Sequence, residues 1–304
     1  MFERILVPLD GSPRAEVILA QLGPILRRQD AEVLLTRALL HDPGDSLWAR
    51  GTDLARVTRE LRDEAVAYLR RTADRLSAEG VRARACHPEG PLPEAILEAA
   101  RKEHATLIAM TTHGRTGLAR WIPGSVAEKV VRASEIPVLL VPSFPRGPRG
   151  ERTPALAKEI RFDRILVPVD GSEFSLAIIP AATEFARLFE AEVTVVCVDS
   201  PTLLPMIPGV DSLDDLLVPI ETRSLPTVEC FRKSGVRVSS ACLWGDPASQ
   251  IVDYSASKGM NLITMATHGR SGVARWFMGS VAERVLHSSG VPLLLVRPPS
   301  DPRA

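Results

Sequence analysis

The chain has 304 residues, about two ordinary domains at roughly 150 residues each. An apolar content of 45% and a charged content of 24% are those of a globular protein with full cores, so disorder is not the expectation. Lysine plus arginine and aspartate plus glutamate both number 37, which leaves no net field to draw the chain to nucleic acid or to an anionic membrane.

The opening stretch, MFERILVPLDGS, lacks the basic start and apolar core of a signal peptide. No apolar run approaches the roughly 20 residues that span a bilayer. Cys86, Cys197, Cys230 and Cys242 form no CxxC pair, so reduced thiols in a cytoplasmic protein are expected.

Arg4 to Leu9 is a short apolar run stopped by Pro8-Leu9-Asp10-Gly11-Ser12, the pattern of a parallel strand buried on both faces. A helix follows, with Ser12 as its cap and Pro13 in its first turn. Glu32 to Leu40 is the second strand. The stretch from Asp53 to Glu79 carries Leu54, Val57, Leu61, Ala65, Leu69 and Leu76 as one helical stripe closed by Gly80. Val81 to Cys86 is the third strand, EAILEAARKE the next helix, and Thr106 to Met110 the fourth strand. Pro142 to Pro154, rich in proline, glycine and arginine, reads as a linker.

The pattern then restarts. Arg164 to Ser172 repeats the opening strand and bend, and Glu192 to Val198 is the second strand. The proline-rich connection from Ser200 to Pro219 reads as a lid or an inter-domain contact, followed after Glu221 by a helix shorter than its counterpart. Arg237 to Cys242 is a strand and Ala248 to Lys258 a helix. Alternating strands and helices with short connections predict a parallel sheet with helices on both faces. In such folds a ligand sits past the carboxyl ends of the strands, where the winding direction switches.

The most informative stretch is Ile108 to Val141, IAMTTHGRTGLARWIPGSVAEKVVRASEIPVLLV, which returns as ITMATHGRSGVARWFMGSVAERVLHSSGVPLLLV from Ile263 to Val296. Gly124-Ser125 and Gly279-Ser280 each open a helical pattern. Unpaired N–H groups there, beside the positive end of the helix dipole, either hold phosphate or are merely capped by the serine. Asp10 and Asp170, before Gly-Ser, either bind a ligand or organise a turn. Met110 and Met265 either line the ligand or fill the core. His113 and His268 lack the partners that catalysis needs, and a loop-ordering hydrogen bond is the reading preferred. Trp121 and Trp276 are read as packing against a neighbouring element. GxxxxGK[ST] is absent and no acidic cluster is set to hold magnesium, which argues against phosphoryl transfer.

VPLDGS and VPVDGS near the starts, the two THGR…GSVAE stretches, and PVLLV and PLLLV as last strands together resemble the universal stress protein family, with the whole chain similar to a tandem member. The resemblance implies an α/β fold of two doubly wound, Rossmann-like or flavodoxin-like domains. Each is a five-stranded parallel sheet, and the two are paired through their last strands. The domains expected are residues 1–142 and 161–298, with 143–160 as the linker. It also implies a pseudo-dimer inside one chain, formed by Val138 to Val141 and Leu293 to Val296; a homodimer of whole chains and an unidentified protein partner are left open.

The nucleotide-binding branch of that family has a motif of Gly, two residues, Gly, nine residues, Gly and then Ser or Thr. Gly114 and Gly124-Ser125 match its later part in the first half, and Gly269 and Gly279-Ser280 in the second. Thr111 and Ala266 stand where the first glycine belongs. By the same resemblance Asp10 and Asp170 bind ribose hydroxyls beside Pro8 and Pro168, Ala38 and Val198 lie along adenine, and Met110 and Met265 floor the cleft. Arg115 and Arg270 either add charge at the phosphates or lie solvated. The implied function is that of a stress-response sensor or effector binding adenine nucleotide, with ATP the candidate and magnesium an optional companion, without efficient turnover. A scaffold protein with vestigial clefts and a slow ATPase are the other readings.

Overall fold

The computed structural model describes residues 2–37, 54–88, 90–112, 125–142, 160–199, 214–268 and 278–299. Strand β1 (Arg4–Pro8) is where the first half starts, and Ile5, Leu6 and Val7 are fully buried, so both of its faces are covered. Helix α1 (Pro13–Leu26) begins as the sequence dictates: the Ser12 Oγ accepts from the Ala15 N–H at 3.2 Å, and Pro13 fills the position whose N–H has no helical partner. There follow β2 (Glu32–Thr36), α2 (Leu54–Ala78), β3 (Arg82–Cys86), α3 (Leu92–Lys102), β4 (Leu107–Thr111), α4 (Ser125–Ala133) and β5 (Val138–Val141).

The second half repeats the order with β6 (Arg164–Val169), α5 (Ile179–Phe189), β7 (Glu192–Asp199), α6 (Asp214–Lys233), β8 (Arg237–Trp244), α7 (Pro247–Ser257), β9 (Leu262–Ala266), α8 (Ser280–Ser288) and β10 (Leu293–Val296). A 3-10 segment, Glu173–Ile178, precedes α5. Pro180 explains it, because a proline in the first turn of α5 has no N–H to carry an α-helical ladder back into the preceding residues.

Each half is a parallel five-stranded sheet, and the strand order across both is β3-β2-β1-β4-β5-β10-β9-β6-β7-β8. The fold is therefore α/β with two tandem doubly wound units joined through their last strands. The junction is antiparallel, with Leu293 opposite Leu140, Leu294 opposite Leu139 and Leu295 opposite Val138. Leu139, Leu140 and Leu294 are fully buried there, and each is worth ~1.5–3 kcal/mol of hydrophobic stabilisation. Alternation along the strands feeds two cores. Ile5, Val7, Val193 and Val195 face α1, α2, α5 and α6, while Leu6, Leu34, Val196 and Ile263 face α3, α4, α7 and α8. The first core crosses between the halves through an aromatic group in which Phe2 meets Phe185 at 4.8 Å and Phe162 meets Phe189 at 4.9 Å between ring centres.

Three expectations shift. Strand β2 closes at Thr36 rather than Leu40, and residues 38–40 lie outside those described. Helix α6 starts at Asp214, ahead of Glu221, and takes in Pro219 and Pro226. It is still the shorter helix, with 20 residues against 25 in α2. Strand β8 continues past Cys242 to Trp244, pairing with β7 throughout. Most of the expected linker, residues 143–159, and the part of the proline-rich connection from 200 to 213 lie outside the described residues.

Candidate functional site

Strands β6 and β9 are parallel neighbours, with Leu166 in register with Ile263, so Pro168 and Met265 come to the same carboxyl end of the sheet. A cleft of about 410 Å³ opens there. One wall is apolar, built from Val196, Val198, Ile251 and Met265. The lining also includes Asp170, Ala266 and the first turn of α8 at Gly279, Ser280 and Val281. All seven second-half candidates among the described residues thus line one cleft: Pro168, Asp170, Val198, Met265, Ala266, Gly279 and Ser280.

Gly279 is held in place from both sides. Its N–H donates to the Thr267 carbonyl at 2.8 Å, and its own carbonyl accepts from the Glu283 N–H at 2.9 Å. A Cβ on Gly279 would lie 3.2 Å from the Thr267 oxygen, a tight contact that glycine relieves, while its φ of −61° is open to any residue. The clamp sets the start of α8 against the end of β9. The N–H groups of the first helical turn have no acceptor within the helix and point out of its N-terminal end, where the dipole adds partial positive charge.

Asp170 does two things. Its Oδ1 accepts from the Ser172 N–H at 2.9 Å and from the Ser172 hydroxyl at 2.6 Å, which builds the turn that starts the next segment. The same carboxylate borders the cleft. Asp10 makes the corresponding turn, its Oδ1 accepting from the Ser12 N–H at 2.9 Å. The glycines that follow, Gly11 and Gly171, have φ of +81° and +80°, a conformation that only glycine adopts without strain. An arginine packs on each: Arg37 lies 3.3 Å from the place of a Cβ on Gly11, and the Arg223 stem 3.0 Å from that of Gly171.

In the first half β1 and β4 are neighbours with Leu6 in register with Ile108, which brings Pro8, Asp10, Met110 and Thr111 to one sheet end. Met110 and Thr111 are buried. Thr111 pairs with Val141 as the last residue of β4, and Ala266 with Val296 as the last of β9, so both have extended backbone and neither position asks for the freedom of glycine. Ser125 is the first residue of α4. Ala38, Gly114, Arg115, Gly124, Gly269 and Arg270, with His113, Trp121 and Trp276, lie outside the described residues.

Sequence reasoning missed Ser175, Asp199 and Pro247, which also border the second cleft. Asp199 ends β7 and pairs with Arg223 at 3.0 Å. A signal for it existed in the acidic residue closing the β7 run, and for Pro247 in the Gly245-Asp246-Pro247 bend that feeds α7 at the cleft. His268 borders the cleft as well, with Nδ1 3.0 Å from the Thr267 Oγ1, the loop-ordering contact expected of it. Burial, and then repulsion from Arg297, hold the imidazole below its ordinary pKa, so it is neutral at pH 7 and accepts or donates as a dipole rather than as a cation.

The sequence profile of the universal stress protein family matches residues 1–142 and again residues 161–297. The chain belongs to the universal stress protein family. A universal stress protein of Methanocaldococcus jannaschii is 33% identical over 142 residues, 45% of this chain and 84% of that protein. One from Mycobacterium bovis is 28% identical over 196 residues, 64% of this chain and 62% of that protein. Among solved structures, a universal stress protein from Archaeoglobus fulgidus superposes with a TM-score of 0.72 at 22% identity, covering 98% of this chain and 99% of that one. A Pseudomonas aeruginosa structure described as a putative universal stress protein gives 0.66 at 17% identity, over 99% and 95%. At such identities the two structures speak for the fold alone, and they extend the universal stress protein architecture over the whole length of the chain.

Proposed function

We propose that the chain binds adenine nucleotide, with ATP the candidate, as a cytoplasmic stress-response sensor or effector that does not turn the nucleotide over efficiently. The two units proposed are residues 1–142 and 161–298, with 143–160 between them. The observation that carries the reading is the second cleft, whose lining brings together apolar side chains, an aspartate and a clamped helix N-terminus. A flat base suits Val196, Val198 and Met265. A ribose diol suits Asp170 as acceptor, and phosphate oxygens suit the first turn of α8 with Ser280. Gly269 and Arg270 are proposed to complete that cleft. Pro8, Asp10, Ala38, Met110, Thr111, Gly114, Arg115, Gly124 and Ser125 are proposed to form its counterpart.

Among the described residues no three acidic, histidine or cysteine side chains are grouped to hold a metal. Magnesium is proposed to enter, where it does, on the phosphate oxygens of the nucleotide. Likewise, among the described residues no helix is long and apolar enough to cross a membrane.

Calorimetric titration with ATP and magnesium tests the reading through Asp170→Asn. Asparagine keeps an Oδ1 that accepts from the Ser172 N–H, so the turn survives while the charge is lost. A hydrogen bond to a charged group is worth ~1.5–3 kcal/mol, which predicts binding weakened by about tenfold or more with the fold intact by circular dichroism. Binding of unchanged strength in the variant removes Asp170 from the site, and no heat in the parent protein removes the reading.

A further inference from the structure

Strands β7 and β8 run in register, and one of their pairs sets Cys197 directly opposite Cys242. Residues opposite one another on neighbouring strands point to the same face. For these two it is the face of Val193, Val195 and Val238, beneath α6, since Val196, Val198, Ala241 and Leu243 belong to the other core. We propose that Cys197 and Cys242 are a redox modification site that closes to a reversible intramolecular disulfide, with a hydroperoxide as the oxidant.

The spacing allows the bond. Neighbouring strands lie ~4.8 Å apart, and disulfides join Cα atoms separated by ~4.4–6.8 Å. The same two strands show how near in-register γ atoms come: Thr194 Oγ1 and Ser239 Oγ, another opposed pair, are 3.2 Å apart. A Cβ separation set by the strand spacing exceeds the ~3.8 Å usual in disulfides, so the bond forms under strain and is readily reduced, which suits a switch rather than a staple.

The two thiols differ in access. Cys242 is partly exposed and Cys197 has no exposed surface, which makes Cys242 the sulfur that meets the oxidant and Cys197 the one that resolves it. Burial, and then the Glu221 carboxylate on α6, raise the Cys242 thiol above its ordinary pKa, so little of it is thiolate at neutral pH and its oxidation calls for plentiful peroxide. In the first step Cys242 gives up its proton and its sulfur attacks one peroxide oxygen. The O–O bond breaks, an alcohol (water, from hydrogen peroxide) leaves with that proton, and a sulfenic acid remains. In the second, the Cys197 sulfur attacks the Cys242 sulfur, the S–O bond breaks, and the hydroxide leaves as water with the Cys197 proton. Two thiols lose two electrons, and the peroxide gains them. The product ties the edge strand β8 to β7 directly behind Val198 and Asp199, which border the cleft.

Peptide mapping of the full-length protein tests this without any variant. Trypsin places Cys197, Cys230 and Cys242 on separate peptides, residues 188–223, 224–232 and 238–258. After hydrogen peroxide, mass spectrometry under non-reducing conditions should find peptides 188–223 and 238–258 joined and lighter by two hydrogens, and dithiothreitol should separate them. The variant carrying Cys86→Ser and Cys230→Ser should give the same joined pair. Cys197 left as a thiol while Cys242 proceeds to sulfinic acid overturns the proposal, and so does a map in which the exposed Cys230 forms every disulfide found.

Discussion

Asp246 shows how far one side chain reaches. It caps α7 by accepting from the Ser249 N–H at 3.0 Å, and it forms a two-pronged ion pair with Arg284 of α8 at 2.6 and 2.7 Å. Arg284 first, and then the Ser249 N–H, hold its carboxyl well below the ordinary carboxylate range. The pair is exposed, so the cap is the larger contribution, and Asp246→Ala should cost about 1 kcal/mol at pH 7. A depressed native pKa stabilises the fold above the unfolded-state value of 3.8 and ceases to do so as pH falls through the native value. Thermal melts should therefore show a gap between parent and variant that is constant from pH 7 down to about 5 and shrinks below about 4. A gap that widens in acid contradicts the linkage. At this scale the sequence was legible where chemistry is local: Ser12 as a cap, Asp170 at its turn, His268 in its loop contact. It was silent on Arg37 and Arg223, since two arginines from a strand end and a helix reach equivalent glycines only once the chain has folded.

Among the elements, most strands and helices of the first half could be read to within about two residues, because period-two and period-3.6 patterns end there at glycine and proline, while β2 was read four residues too long. Helix α6 was the exception. Prolines at 219 and 226 signal a break in any local reading, yet Val228 and Phe231 are buried in the core over β7 and β8, and packing outweighs propensity. Pro226 is exposed, lacks the N–H for the Thr222 carbonyl, and crowds it. Pro226→Ala should raise stability by ~1–3 kcal/mol in urea unfolding without changing the slope. A destabilised variant would mean that the chain uses the bend at Pro226 to seat α6.

For the molecule as a whole, the β5–β10 junction makes one ten-stranded sheet of two repeats and hides two apolar edges that would otherwise invite association. The repeats were visible in the sequence, as was the pairing of last strands through the family resemblance. The aromatic bridge from Phe2 to Phe185 was not, since its members are far apart in the chain and carry no periodic mark. Leu294 is fully buried at the junction, so Leu294→Ala should cost ~2–5 kcal/mol in chemical denaturation. Leu61→Ala, at a side chain 49% exposed on α2, should stay within ~0.5 kcal/mol. Equal losses at the two positions would contradict the junction as a major source of stability.

The measurement that bears most directly on nucleotide binding is to denature freshly purified protein that has never been supplemented and to identify what it releases by chromatography. The account predicts adenine nucleotide at about one per chain from the second cleft, rising to about two where the first is also filled. Protein that releases none, and then gives no calorimetric response to ATP with magnesium, contradicts it.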